Sequence, residues 1–273
     1  MKTSVKSMKR KKITIKDKKS IKESISKDLR NTVDPITIHQ SEWINFEPFN
    51  PVKTYHCFLG CDIAMNNNGF CVLYVQFDPT APDFFRIISF KSVRISINKD
   101  YDFGGDIEKF VKLNKIIVNN LNSLPNHPRF SQRMHDNIFM KYNAIAREGG
   151  AYGSPGRLYD LGRNVGIFDY YLYGESFIER KNYYILPPMS IKKFCLGKGN
   201  IKKDTGYLLE IYKKFNIEFQ NDDEADGFLI AFMAANIYGV RNSLIDIKNL
   251  EQTKKNVLIR SKDGEPHYFD ESI

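Results

Sequence analysis

Very little in this sequence points to a chain held by thiol chemistry or by lipid. It has four cysteines, Cys57, Cys61, Cys71 and Cys195, and none of them forms a CxxC pair. His56, Cys57 and Cys61 lie close together, but alternate residues of a strand point to opposite faces, which separates His56 from Cys57. The spacing is not that of a zinc site, and the thiols read as small, buried and free. No run of eighteen apolar residues is present, so no transmembrane helix is expected. The N-terminus has no apolar core of the kind a secretory signal needs, so a reducing compartment is expected. There are only five histidines, and no His-rich set competes for a metal.

What is present is an ordinary globular composition, 42% hydrophobic and 27% charged over 273 residues, enough for one large domain or two small ones. The net charge of +9 is unevenly spread. Residues 1–30 hold twelve Lys/Arg against three acids, and the remainder is balanced at 29 of each. The basic character therefore resides in an N-terminal arm, read as a disordered segment over 1–35. Such an arm suits a polyanion, through phosphate neutralisation and counterion release; a solubilising tail is the plainer reading. Lys9-Arg10-Lys11-Lys12 is a short basic run of the kind found in nuclear addresses, and a mitochondrial presequence is disfavoured by the acids and the excess of Lys over Arg.

Residues 36–54 are expected to dock on a core that starts with a strand at 56–63. Asn66-Asn67-Asn68-Gly69 then signals a turn, because Asn and Gly tolerate positive φ. Further strands are expected at 70–77 and 84–90, completing an antiparallel meander. Apolar residues at helical spacing predict a helix over 106–121. A short strand at 143–147, a helix at 158–172 and a strand at 183–186 follow, then helices at 190–196, 200–215 and 223–238. Residues 241–273 are polar and read as an extension. The order implies an α/β domain over 36–240, with a mixed five-stranded sheet flanked by helices.

Three acidic segments carry the chemistry. Asp62 ends the apolar run Phe58-Leu59-Gly60-Cys61-Asp62, where an unpartnered charge costs several kcal/mol. It is either a metal ligand or a carboxylate bonded to backbone in the coming turn. Glu148 ends a second apolar strand just before two glycines; alone, it reads as a solvated loop acid. In Asp222-Asp223-Glu224-Ala225-Asp226, Asp223 and Asp226 are three apart and share a helical face. Acids also suit the first turn of any helix, with Asp222 as the N-cap. Taken together, Asp62, Glu148, Asp223 and Asp226 supply the oxygen donors that two Mg²⁺ (or Mn²⁺) ions need for phosphodiester hydrolysis.

At this point the sequence resembles the RuvC-type Holliday junction resolvases of the RNase H-like superfamily, in a phage- or virus-like form. The stretches FLGCDIAMNNNGFCVL, REGGAYGSPGRLYDLGRNVGIFDYYL, MSIKKFCLGKGNIKKDTGYLLEIY and DDEADGFLIAFMAA carry the resemblance, over roughly residues 56–238. It implies an RNase H-like fold, metal ligands at Asp62, Glu148, Asp223 and Asp226, and basic positions at Lys192 and Lys203 on the scissile-strand phosphates. Lys203 would stabilise the charged transition state. Lys193, Lys198 and Lys202 enrich the same segment, whose plainer reading is solvated helix faces. The implied activity is cleavage of four-way junctions or related branched DNA by a homodimer, with the helix at 158–172 at its interface. The expected location is the cytoplasm, that of the host for a viral or phage protein, with nuclear or mitochondrial targeting left open.

Two other classes compete. A catalytically inactive RNase H-like binding or scaffold protein would also suit the basic arm. An actin-like ATPase begins with a similar Asp-bearing strand and hairpin, but the chain is short for two related domains and has no phosphate-binding glycine loop.

Overall fold

The computed structural model describes residues 36–48, 50, 52–98, 106–124, 142–149, 155–174, 182–201, 203, 205–259 and 268–269. The arm expected over 1–35 and Lys202 lie outside them.

Seven strands form one mixed sheet. They are β1 (Ile36–Gln40), β2 (Ile44–Asn45), β3 (His56–Asp62), β4 (Asn67–Phe77), β5 (Phe85–Ile97), β6 (Ala144–Glu148) and β7 (Tyr183–Leu186). Their order is β1-β5-β4-β3-β6-β7, with β2 also pairing with β5. β3, β4 and β5 make the expected meander, and β6 and β7 add parallel to β3. The expected five strands are all present. The two short strands from 36–45 extend the sheet at the β5 edge, so the segment expected to dock on the core does so by strand pairing. β5 runs seven residues past its expected end because Val93, Ile95 and Ile97 keep alternating inward through a polar stretch.

The helices are α1 (Asp106–Ser123), α2 (Pro155–Gly174), α3 (Pro188–Leu196), α4 (Thr205–Phe215), α5 (Asp222–Arg241) and α6 (Gln252–Leu258). β3 has an apolar core on each face. Phe58 packs with Phe228, Ala231 and Phe232 of α5, whereas Cys57, Leu59 and Cys61 pack with Leu113 and Ile117 of α1 and Phe168 of α2. Alternation along β3 therefore assigns Gly60 and Asp62 to the α5 side.

α5 lies unusually close to β3 and β4. A Cβ on Gly60 would sit 2.0 Å from the Gly227 carbonyl oxygen, and one on Gly69 1.9 Å from that of Asp223. Only glycine admits such backbone contact. α5 begins at Asn221, whose Oδ1 accepts from the Glu224 amide at 3.0 Å while its Nδ2 donates to Glu224 Oε1 at 2.9 Å. Asn221, one residue before the expected Asp222, is thus the N-cap, in a reciprocal capping arrangement.

The polar C-terminal extension expected from residue 241 is, up to 259, part of the fold. Ile245, Ile247, Leu250, Val257 and Leu258 are buried in the α5-side core. Lys254 is buried too. Its ammonium pairs with Asp83 and lies 5.5 Å from the Phe194 ring centre, which is why a segment that reads as polar packs inward. The four cysteines are free and buried.

Candidate active site

Two strands and one helix converge where the sheet changes from antiparallel to parallel. β3 delivers Asp62 at its C-terminal end, and the neighbouring parallel strand β6 delivers Glu148 at its own end. α5 delivers Asp226 one turn from its start, on the face that meets β3. One carboxylate oxygen from each of these three residues lies within 4.8 Å of the other two. Among the described residues this is the sole group of acids, histidines or cysteines close enough to share a metal.

Burial and mutual repulsion dominate the electrostatics of the cluster. Burial, then the charges of Glu148 and Asp226, holds the Asp62 carboxyl well above the ordinary carboxylate range. Glu148 is raised in the same way, by burial first and by Asp226 second, with Lys203 opposing. Three clustered carboxylates disfavour one another's ionisation unless positive charge joins them. Lys203 supplies part of it: its ammonium is ion-paired with Asp226 and lies 3.8 Å from Asp222. Burial works against the Lys203 charge, but Asp226 and Asp62 outweigh it and raise the pKa above the ordinary lysine value.

Tyr207 of α4 donates its hydroxyl to Asp226 Oδ1. The sequence reading did not single it out, although a tyrosine on a buried helix face needs such a partner. Lys192 of α3 donates to the Ile201 carbonyl at 3.2 Å and lies over the Tyr207 ring. A cavity of about 20 Å³ lies among Glu148, Lys192, Lys203 and Asp226. That is room for a water-sized occupant.

Not every expected residue joins the cluster. Asp223 is turned toward β5, where its Oδ2 accepts from Arg94 Nε at 3.0 Å. Burial and Asp222 raise the Asp223 pKa, and Arg94 opposes them. Lys193 and Lys198 are exposed, on α3 and in the turn that follows it. His56 packs edge-on against Phe77 and tilted against Tyr238, and among the described residues neither it nor any cysteine joins a group close enough to share a metal.

No protein-family model matches the chain. No curated protein matches it in sequence. Among solved structures, Thermus thermophilus RuvC is similar at 16% identity, covering 69% of this chain and 97% of that one, with a TM-score of 0.47. T. thermophilus RuvC in complex with a Holliday junction substrate gives 14% identity, 65% and 91% coverage, and a TM-score of 0.43. The Fowlpox virus resolvase with its Holliday junction DNA gives 14% identity, 70% and 99% coverage, and a TM-score of 0.29. The sheet itself carries the assignment: three antiparallel strands, two parallel strands added beside the first, and helices on both faces. The fold is RNase H-like.

The donor set fits a hard divalent cation. All three converging groups are carboxylates, which suit Mg²⁺ or Mn²⁺ and not a thiolate-seeking metal. Mutual repulsion in the buried cluster is the second mark of fit, since a divalent ion removes it.

Proposed function

We propose that this chain is a metal-dependent endonuclease that hydrolyses phosphodiester bonds in four-way DNA junctions or related branched DNA. One observation carries the reading: Asp62, Glu148 and Asp226, from three distant parts of the sequence, meet at the ends of two adjacent parallel strands. These three residues would hold the cation, while Asp223, expected from the sequence as a fourth donor, is held at the rim of the site by Arg94. Two ions per site is the expectation for this chemistry. A bound divalent cation supplies Lewis acidity toward the phosphodiester and a more acidic water.

The chain's own residues do the rest. Lys203 neutralises the carboxylate cluster and stands where a substrate phosphate would draw its ammonium outward. Lys192 lies beside it at the cavity. Exposed Lys193 and Lys198 would add phosphate contacts and salt dependence, a role the sequence also suggests for Lys202, which lies outside the described residues. Preference for branched DNA and action as a homodimer, with α2 at the interface, follow the sequence resemblance to RuvC-type resolvases.

The test is incubation with a labelled immobile four-way junction and a matched linear duplex, in Mg²⁺ or EDTA, beside Asp62→Asn. Symmetric nicking of the junction that needs both metal and Asp62 is expected. Tight binding with no cutting in Mg²⁺ or Mn²⁺ would show an inactive binding protein instead.

A further inference from the structure

The face of the sheet opposite the carboxylates carries polar groups that the chemistry above does not use. Arg147 precedes Glu148 in β6, so it points to the other face, toward α2. It is buried, and it forms a two-pronged ion pair with Asp169 of α2: Nε to Oδ1 at 3.0 Å and Nη2 to Oδ2 at 2.9 Å. Its Nη1 donates to the Glu148 carbonyl oxygen at 3.1 Å. The Tyr183 hydroxyl closes the set, accepting from Arg147 Nε at 2.9 Å and donating to Asp169 Oδ1 at 2.6 Å.

One turn earlier on α2, Asn164 is fully buried. Its Nδ2 donates to the carbonyl of Ala64, two residues beyond Asp62, at 2.9 Å. The Ala64 amide in turn donates to Asn68 Oδ1 at 3.0 Å, across the turn. Asn114 of α1 donates to Asn164 Oδ1 at 2.8 Å and holds its orientation.

A single helix thus grips the backbone just after Asp62 and the backbone at Glu148, from the side away from the substrate. From this geometry we infer that Asn164 and Asp169 are positioning residues, which set the separation of the Asp62 and Glu148 carboxylates and hence the affinity of the site for a divalent cation. The inference rests on the metal-site reading above. Neither residue reaches the cluster itself. Each acts through backbone, Asn164 through the Ala64 carbonyl and Asp169 through Arg147. Groups that hold metal-binding side chains in place in this way alter metal affinity by 10–100-fold when removed.

The experiment is Mn²⁺ binding to the full chain, followed by the loss of the free-ion paramagnetic resonance signal. It compares wild type, Asp169→Asn, Asn164→Ala and the milder Tyr183→Phe, all at a temperature where circular dichroism shows each to be folded. Lys254→Met is the control for stability, since its ion pair with Asp83 lies in the connection at the far end of β4 and β5. The expected result is a Kd for Mn²⁺ about tenfold weaker in Asp169→Asn and Asn164→Ala, and a smaller weakening in Tyr183→Phe. Lys254→Met keeps the wild-type Kd despite a lower melting temperature. Should Asp169→Asn or Asn164→Ala fail to fold, Tyr183→Phe decides by itself. Wild-type affinity in the α2 variants, or an equal loss in Lys254→Met, overturns the inference. A wild-type chain that binds no Mn²⁺ overturns the metal-site reading, and this one with it.

Discussion

Arg94 and Asp223 form an ion pair of 3.0 Å between β5 and the first turn of α5. It turns one acid of the DDEAD run away from the other site carboxylates, although Asp223 and Asp226 are a helical turn apart. The register places Arg94 directly opposite Gly69, and Gly69 opposite Asp62, so the pair lies at the rim of the same site.

Asp223→Asn is therefore expected to slow junction cutting less than Asp62→Asn, with single-turnover rates as the measurement. A double-mutant cycle with Arg94→Gln should give a coupling in stability of about 1 kcal/mol, as expected for a partly exposed pair. Equal losses of rate in the two acid variants would mean that Asp223 leaves Arg94 when metal or DNA arrives.

Removing one charge from the carboxylate cluster relieves repulsion. Asp62→Asn should melt at or above the wild-type temperature in EDTA, a scan that differential calorimetry resolves. Mg²⁺ at about 100 times its Kd adds about 2.7 kcal/mol to the wild type. For a domain of this size that is a rise of roughly 5–10 °C, and Asp62→Asn should lose most of it. A variant that melts well below wild type in EDTA would show that the Lys203 pairing outweighs the repulsion.

His56 has its pKa lowered by burial, and its Nδ1 has no hydrogen-bond partner. The unfolded chain thus takes up a proton at this residue more readily than the folded one. The linked stability is present above the unfolded value of about 6.5 and is lost as the pH falls below it. The raised Asp62 and Glu148 groups work the other way, since acid relieves their repulsion. Comparison with His56→Phe isolates the histidine: between about pH 7.5 and pH 5.5, the wild type should lose more melting temperature than the variant. Parallel curves would remove His56 from the account.

The close approach of α5 has its own test. Gly60→Ala places a Cβ 2.0 Å from the Gly227 oxygen and 2.5 Å from the Ala231 nitrogen, both backbone atoms. Urea denaturation should show a loss of about 3 kcal/mol or more. Gly166→Ala, in α2 with nothing within 4 Å of the added carbon, should be neutral or stabilising by up to about 1 kcal/mol. Similar values for the two would mean that α5 has room to move.

Asp62 was legible because one acid in an apolar strand demands an explanation, and Asp226 because it continues the apolar face of its helix. Glu148 was legible only as a strand end; its pairing with β3 is long-range. The partner of Asp223 was not legible. Arg94 is 129 residues away, and no local pattern joins them. Arg147 stands in the apolar run that leads to Glu148, with no local sign of its partner. A buried arginine in a strand does require a carboxylate, but the sequence does not say that Asp169 is the one. The sequence reading ends β5 at Phe90 because the polar residues beyond it mask a period-two alternation that continues to Ile97. α6 was hidden for a related reason: Lys254 counts as polar in any pattern, and only the aromatic rings around it and Asp83 make it a core residue.

β1 enters the sheet with Ile36 opposite Ile97, at the same end of the sheet as the carboxylates. His39 lies in one row with Arg94, Gly69 and Asp62. At ~4.8 Å per strand spacing, that row is about 15 Å wide. The twelve lysines and arginines of residues 1–30 precede Ile36 in the sequence, and the described chain begins at that edge. A polyanion bound by residues 1–30 would be tethered through Ile36 to the edge of the sheet that bears the carboxylates, and would meet them as a tethered reactant. Capture and cutting would then respond to salt separately, the first through the tether and the second through Lys203.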